Sequence, residues 1–303
     1  MGINISLPFK MTSERRGVLS MLSATACFSV QDAFCRIAAQ EVPISQILFV
    51  RGLFGVAFLV CLALYLRVSL LHRSLFGTRV WIRAAVDVFA SASYVYSLKY
   101  LDLANVTAIS MSTPCFLTLF AAMFLKEHVG PLRWLTVLIG LFGVLLVVQP
   151  AGGNFNIWSL LVLLSAVLMA FRDMLTKTIG YGTPSLLLSM TSVMTTAGMG
   201  GVWGVIENWP VLQTSHFIVL VLASIAMCLG YLLLIAAMRT GEIGTVAPFR
   251  YSALLFSAII GYAVWGSVPN TMAWCGIALI IASGILAQRV TDKRVVDVTP
   301  NAG

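Results

Sequence analysis

The chain has 303 residues, 59% of them apolar and 10% charged, with a mean hydropathy of +0.96 and a formal net charge of +8. Soluble domains carry roughly 25% charged residues, and 19 basic plus 11 acidic side chains cannot cover a soluble fold of this size. A helix needs about 20 mostly apolar residues to cross a hydrocarbon layer about 30 Å thick; ten such segments use up the chain and exclude a soluble catalytic or nucleic-acid-binding domain.

In chain order the apolar runs predict helices over residues 17–39, 44–66, 80–99, 103–125, 131–149, 157–179, 184–206, 213–238, 243–265 and 271–289. Turn residues separate them: Glu41-Val42-Pro43, Gly130-Pro131, Gly152-Gly153-Asn154, Gly180 to Pro184, Glu207 to Pro210 and Val268-Pro269-Asn270. Residues 1–16 and 290–303 read as polar tails, the second disordered beyond Thr291. The first run is too long for a cleaved signal peptide and reads as a membrane helix. Met1 to Ser6 matches an acylation pattern but reads as an unstructured leader.

Cationic residues set the expected orientation. With the N-terminus in the cytoplasm, Lys10, Arg15, Arg16, Arg67, Arg73, Arg79, Arg83, Lys126, Arg133, Lys177, Arg239, Arg289, Lys293 and Arg294 fall on the inner side, and only Arg36 and Lys99 on the outer. That bias places both termini in the cytoplasm and requires an even number of crossings. It also explains the basic charge by topology, so nucleic acid is not an expected partner. The cysteines are scattered singly and His72, His128 and His216 lie far apart, so neither a metal site nor a disulfide framework is expected.

The sequence repeats itself at a displacement of 140 to 141 residues. Asp32, Arg36 and Pro43 form D-x3-R-x6-P, and Asp173, Lys177 and Pro184 repeat it as D-x3-K-x6-P. Lys99-x-x-Asp102-Leu103 corresponds to Arg239-x-x-Glu242-Ile243, and Trp134 to Trp274. The chain therefore divides into a first unit over 17–149 and a second over 157–289. Five helices per unit is odd, so the second copy lies inverted, an arrangement that lets two halves exchange conformations around a site near the midplane.

These residues resemble the drug/metabolite transporter superfamily and, within it, the EamA type. The resemblance rests on Phe28-Ser29-Val30-Gln31-Asp32 with Arg36, Arg51-Gly52, Ser112-Thr113-Pro114, Lys126-Glu127, Phe171-Arg172-Asp173 and Ala247-Pro248-Phe249-Arg250-Tyr251. It implies an all-α secondary transporter in the cytoplasmic (inner) membrane, without cofactor or enzymatic activity. It also implies a cavity among helices one, three, four, six, eight and nine. The family often places Gly-Glu at the ends of both the fourth and ninth helices; here those ends read Lys126-Glu127 and Trp265-Gly266-Ser267.

Asp32, Arg51, Asp87, Arg172, Asp173 and Arg250 lie well inside the helices, each costing about 2.5–3.5 kcal/mol at the centre of a lone helix. Counted at ~1.5 Å per residue, Asp32 and Arg51 form a neutral outer pair, and Asp87, Arg172, Asp173 and Arg250 a neutral inner quartet. These groups either bind substrate and gate access or lock helices together. Ser91, Tyr94, Ser110, Met111, Thr113, Tyr231 and Tyr251 complete the candidate substrate-contacting set, the tyrosines offering a flat face and a hydroxyl. Trp81, Trp158, Trp203 and Trp209 read as an interfacial belt. Gly200 and Gly204 form a G-x-x-x-G that reads as close packing within the monomer, with a homodimer as the alternative.

A small-molecule substrate and the lipid bilayer are thus the expected partners. Aromatic rings beside arginine suit a planar vitamin such as riboflavin, taken up; an amino-acid or metabolite exporter is the near rival. A non-transporting scaffold or lipid scramblase is the alternative of another class. An aspartyl dyad of Asp87 and Asp173 is disfavoured, because arginine partners would keep both ionised.

Overall fold

A computed structural model describes residues 13–68, 77–126, 130–149, 156–179, 185–207, 209–240 and 247–298. The Met1–Ser6 pattern, the turns expected at 152–154 and 180–184, Glu242, His72 and His128 lie outside these residues, as do the side chains of Lys177 and Arg239. The described residues are helical: α1 Ser13–Ala38, α2 Ile44–Tyr65, α3 Thr78–Leu98, α4 Leu103–Ser110, α5 Thr113–Phe124, α6 Pro131–Val148, α7 Trp158–Thr178, α8 Ser185–Glu207, α9 Thr214–Thr240, α10 Ser252–Trp265 and α11 Thr271–Val298, with a 3₁₀ turn Ala247–Tyr251 before α10. Five segments are long and apolar enough to cross a membrane: Arg15–Ala38, Ile44–Tyr65, Leu103–Phe124, Trp158–Thr176 and Thr214–Leu234. Trp134–Val148, Phe249–Trp265 and Thr271–Leu286 are shorter apolar helices. Neither set includes α3, which carries Arg79, Arg83 and Asp87, or α8, which is rich in Ser, Thr and Gly.

Two of the expected continuous helices are broken. In the segment from Leu103 to Phe124 the break falls at Met111-Ser112. Pro114 has no N–H to give the Ser110 carbonyl. Thr113 Oγ1 takes that acceptor at 2.7 Å, while Ser112 Oγ donates to the Ile109 carbonyl. Side-chain hydroxyls thus replace helix bonds locally. Pro248 accompanies the corresponding break before α10, where Ser252 Oγ donates to the Phe249 carbonyl. Ser110 and Arg250 stand 140 residues apart, so the interruptions fall at matching positions of the two halves. At the other end, α11 continues as helix to Val298, past the expected end at 289.

Helix contacts obey one exchange rule. The α1–α9 contact has its counterpart in α3–α7, α1–α10 in α5–α7, and α2–α9 in α3–α8. The contacts α2–α8, α6–α11 and α4–α10 map onto themselves. Cross-contacts gather the turns at one end of the bundle. There, Arg36 reaches Asp102, Gln40 bonds the Lys99 carbonyl, Asn156 bonds the Tyr100 carbonyl, and Gln149 pairs with Asn270. At this end Gly266 (φ +64°) closes α10, its N–H on the Tyr262 carbonyl and that of Ser267 on Gly261. A left-handed position of this kind favours glycine.

Small residues set the seams. A Cβ on Gly200 would meet the Ser45 carbonyl oxygen at 2.7 Å and the Phe49 nitrogen at 2.8 Å, while Gly204 lies against the Trp209 ring. Both glycines of the G-x-x-x-G are thus used within the chain. The clash at Gly200 is with backbone, which cannot rotate away. Gly200→Val should therefore destabilise by about 1–3 kcal/mol, the usual cost of overpacking. Gly198→Ala has nothing within 4 Å of the new Cβ and should leave the protein at least as stable. Melting of the purified protein in detergent distinguishes the pair; equal melting temperatures would contradict the packing. The expected tryptophan belt holds for Trp81, which is exposed. Trp158 stacks on Tyr100 at 4.2 Å and Trp209 donates to Ser45 Oγ at 2.7 Å, so those two are packed groups.

Candidate functional site

A cavity of about 190 Å³ lies among α1, α2, α3, α7, α8 and α9. Gln31, Arg51, Asp87, Ser91, Tyr94, Arg172, Ser192, Thr196 and Tyr231 supply its polar wall; Leu48, Gly52, Val95, Met169, Val193 and Met227 supply the apolar one. Five expected site residues, Arg51, Asp87, Tyr94, Arg172 and Tyr231, therefore share one chamber. Asp32 and Asp173 stand one bond behind it.

On the α1 side, Asp32 accepts 2.6 Å from Tyr94 Oη and 2.8 Å from Gln31 Nε2. The expected ion pair with Arg51 is not formed. Arg51 Nη1 instead points to Cys35 Sγ at 3.6 Å, because Cys35 follows Asp32 by three residues on the same helix face and stands nearer the guanidinium. Among the described residues this is Arg51's one hydrogen bond, which leaves most of its five donors for the cavity.

On the α7 side, Arg172 Nη1 binds Asp87 at 2.6 Å, and its Nε and Nη2 bind Asp173 Oδ1 at 2.9 and 2.8 Å. Three of the expected quartet meet here. The fourth does not: Arg250 is exposed on the 3₁₀ turn Ala247–Tyr251, away from the chamber. Arg83 takes its place, one helical turn before Asp87 and only 9% exposed. It donates to Thr176 Oγ1 at 2.7 Å, to the Leu188 carbonyl at 3.0 Å and to Ser192 Oγ at 2.7 Å, tying α3 to α7 and α8. A buried charge persists only when so partnered. The repeat explains the pattern: Gln31→Asp32 and Arg172→Asp173 are the same neighbour-to-neighbour bond, 141 residues apart.

The remaining candidates lie elsewhere. Helices α4, α5 and α10 do not line the chamber, contrary to the expected cavity among helices one, three, four, six, eight and nine. Their apolar faces pack together instead, Leu103, Val106 and Ile109 meeting Leu254 in the core. Thr113 bonds its own helix, and Ser110 Oγ is buried without a partner. Tyr251 is buried with its hydroxyl against Gly284. Residue reading missed Gln31, Arg83, Ser192 and Thr196. Ser192 and Thr196, four apart and so on one helix face, were the available signal.

Comparison with known proteins matches this architecture. A solved crystal structure shares the fold with a TM-score of 0.64 over 92% of this chain and 99% of that one, at 18% identity. The pseudopaline exporter CntI of Pseudomonas aeruginosa is 25% identical over 279 residues, 91% of this chain and 96% of its own. A riboflavin transporter of Brucella anthropi is 25% identical over 284 residues, 89% and 97% respectively. An S-adenosylmethionine uptake transporter of Rickettsia prowazekii is 23% identical over 267 residues, 88% and 90%. The EamA-like family model matches residues 15–149 and again 156–288, and the chain belongs to the EamA-like transporter family.

Proposed function

We propose that the protein is a secondary transporter of ten crossings, with both termini cytoplasmic, that takes up a small planar metabolite across the inner membrane, riboflavin or a similar vitamin being its cargo. The two units 17–149 and 157–289 act as inverted repeats. The observation that carries the reading is the charge state of the chamber wall: Arg172 is already met by Asp87 and Asp173, so the cavity asks for no charged solute. What it offers instead is the Tyr94 and Tyr231 hydroxyls, the Gln31 amide, Ser91, Ser192 and Thr196, and the donors of Arg51. Ring carbonyls and N–H groups of a flat heterocycle match that set, and a mostly apolar surround with few polar groups is the usual small-molecule site.

The matching helix interruptions at Met111-Ser112 and before Ser252 support alternating access, since paired breaks in inverted halves are where transporters change shape. Asp32, Asp173, Ser110, Thr113, Arg250 and Tyr251 then act in gating rather than first contact. Export of a metabolite is the second reading, favoured by the likeness to the pseudopaline exporter. Growth of a riboflavin-requiring strain on limiting vitamin separates them. Uptake predicts rescue by the wild-type gene; unchanged growth with normal membrane expression overturns the vitamin assignment.

A further inference from the structure

A second and larger cavity, about 360 Å³, opens at the end of the bundle where the turns meet, between α4, the end of α6 and the starts of α7 and α11. It shares no residue with the central chamber. Its polar wall is Asp102, Asn105, Gln149, Asn156, Ser159 and Asn270. Three of the carboxamides serve the fold. Asn156 accepts from the Trp158 nitrogen and donates to the Tyr100 carbonyl. Asn270 accepts from the Ala273 nitrogen and exchanges hydrogen bonds with Gln149.

Asn105 is different. It lines the pocket, and its Oδ1 is buried with no hydrogen-bond partner. An unmet buried acceptor costs about 1–3 kcal/mol and in a native fold calls for an explanation. Asp102 lies three residues earlier, hence on the same side of the chain. It gives Oδ1 to Arg36 at 3.1 Å and is still 43% exposed. The unused groups are therefore acceptors, and the occupant must be a donor. A cation is already supplied by Arg36 on Asp102 and by Lys99, whose Nζ lies 5.8 Å from the Tyr100 ring centre. An anion would face the Asp102 carboxylate.

We propose that this pocket is a second binding site, for a neutral polyhydroxylated solute whose hydroxyls donate to Asn105 Oδ1 and Asp102. The ribityl chain of the proposed cargo is one such group, so the site receives solute at the mouth before the central chamber does. Only that last step rests on the vitamin reading; the pocket's chemistry does not.

The test uses ribitol as probe and Val268→Cys as reporter, since Val268 lines the pocket and is exposed. The intact chain in lipid nanodiscs is treated with a charged methanethiosulfonate, and the reaction is followed on the peptide holding residue 268 by mass spectrometry. Ribitol should slow labelling several-fold. Permethylated ribitol, which cannot donate, should not. Adding Asn105→Leu should raise the ribitol concentration needed by roughly five- to tenfold, the ratio for one lost hydrogen bond. No protection by ribitol, or equal protection by the permethylated compound, overturns the proposal, and neither comparison depends on the Asn105 variant folding. Ribitol protection without riboflavin transport would sink the vitamin reading alone; transport without protection would sink the pocket alone.

Discussion

Replacing Arg172 with leucine will strip transport and lower stability together. Its guanidinium holds two carboxylates from two helices, Asp87 on α3 and Asp173 on α7. Removing one partner of a buried pair is far more damaging than replacing the whole pair, because it leaves uncompensated charge. The usual range is about 3–5 kcal/mol, and the 40% exposure of Asp173 places this case near the lower bound. Fluorescence-monitored melting in detergent should show a drop that Asp87→Asn in the same chain partly restores. A drop unchanged by the second substitution would mean the cluster is not the source. The restored variant should remain transport-deficient, because Arg172 and Asp87 both line the chamber.

The second large effect is expected at Tyr94. Tyr94→Phe keeps the ring and removes the 2.6 Å donor to Asp32. A hydrogen bond to a charged group is worth about 1.5–3 kcal/mol, a factor of roughly 10 to 150 if it is realised during transport. Uptake should fall by at least tenfold while the melting temperature shifts little, since Gln31 still donates to Asp32. Asp32→Asn should resemble it in direction. A Tyr94→Phe protein with wild-type uptake would show the Tyr94–Asp32 bond to be structural.

Much of this organisation could be read from residues. The D-x3-R and D-x3-K repeats located Asp32 and Asp173, and counting charges by depth brought Asp87, Arg172 and Asp173 together. The same counting failed for Arg83. As a basic residue near a helix start it looked like an orienting charge at the membrane face, but its guanidinium turns inward to Thr176 and Ser192. Arg250 failed in reverse: helix position cannot tell that a 3₁₀ turn precedes α10 and leaves the side chain exposed. The break at Met111-Ser112 depends on hydroxyl-to-carbonyl bonds at Ser112 and Thr113, chemistry that a hydropathy pattern does not register. The Asp32–Arg51 pairing was sound by depth and failed by rotation, because Cys35 occupies the nearer position on the same face.

Arg36 links the two cavities' neighbourhoods. It is 12% exposed, bound to Asp102, and its guanidinium sits 4.4 Å from the Trp265 ring centre, while its Nε and Nη1 are buried without partners. A cation over an aromatic face contributes about 0.5–2 kcal/mol, which compensates those donors in part. Arg36 thus joins α1 to α10 at the turn-rich end.

The central claim, carriage of a neutral planar vitamin through the Arg51–Tyr94–Arg172 chamber, is tested most directly by counterflow. Proteoliposomes loaded with unlabelled riboflavin should accumulate external labelled riboflavin faster than empty ones, and Arg51→Met should remove that stimulation. Labelled flux that is indifferent to internal riboflavin, with no competition from the unlabelled vitamin, would contradict it.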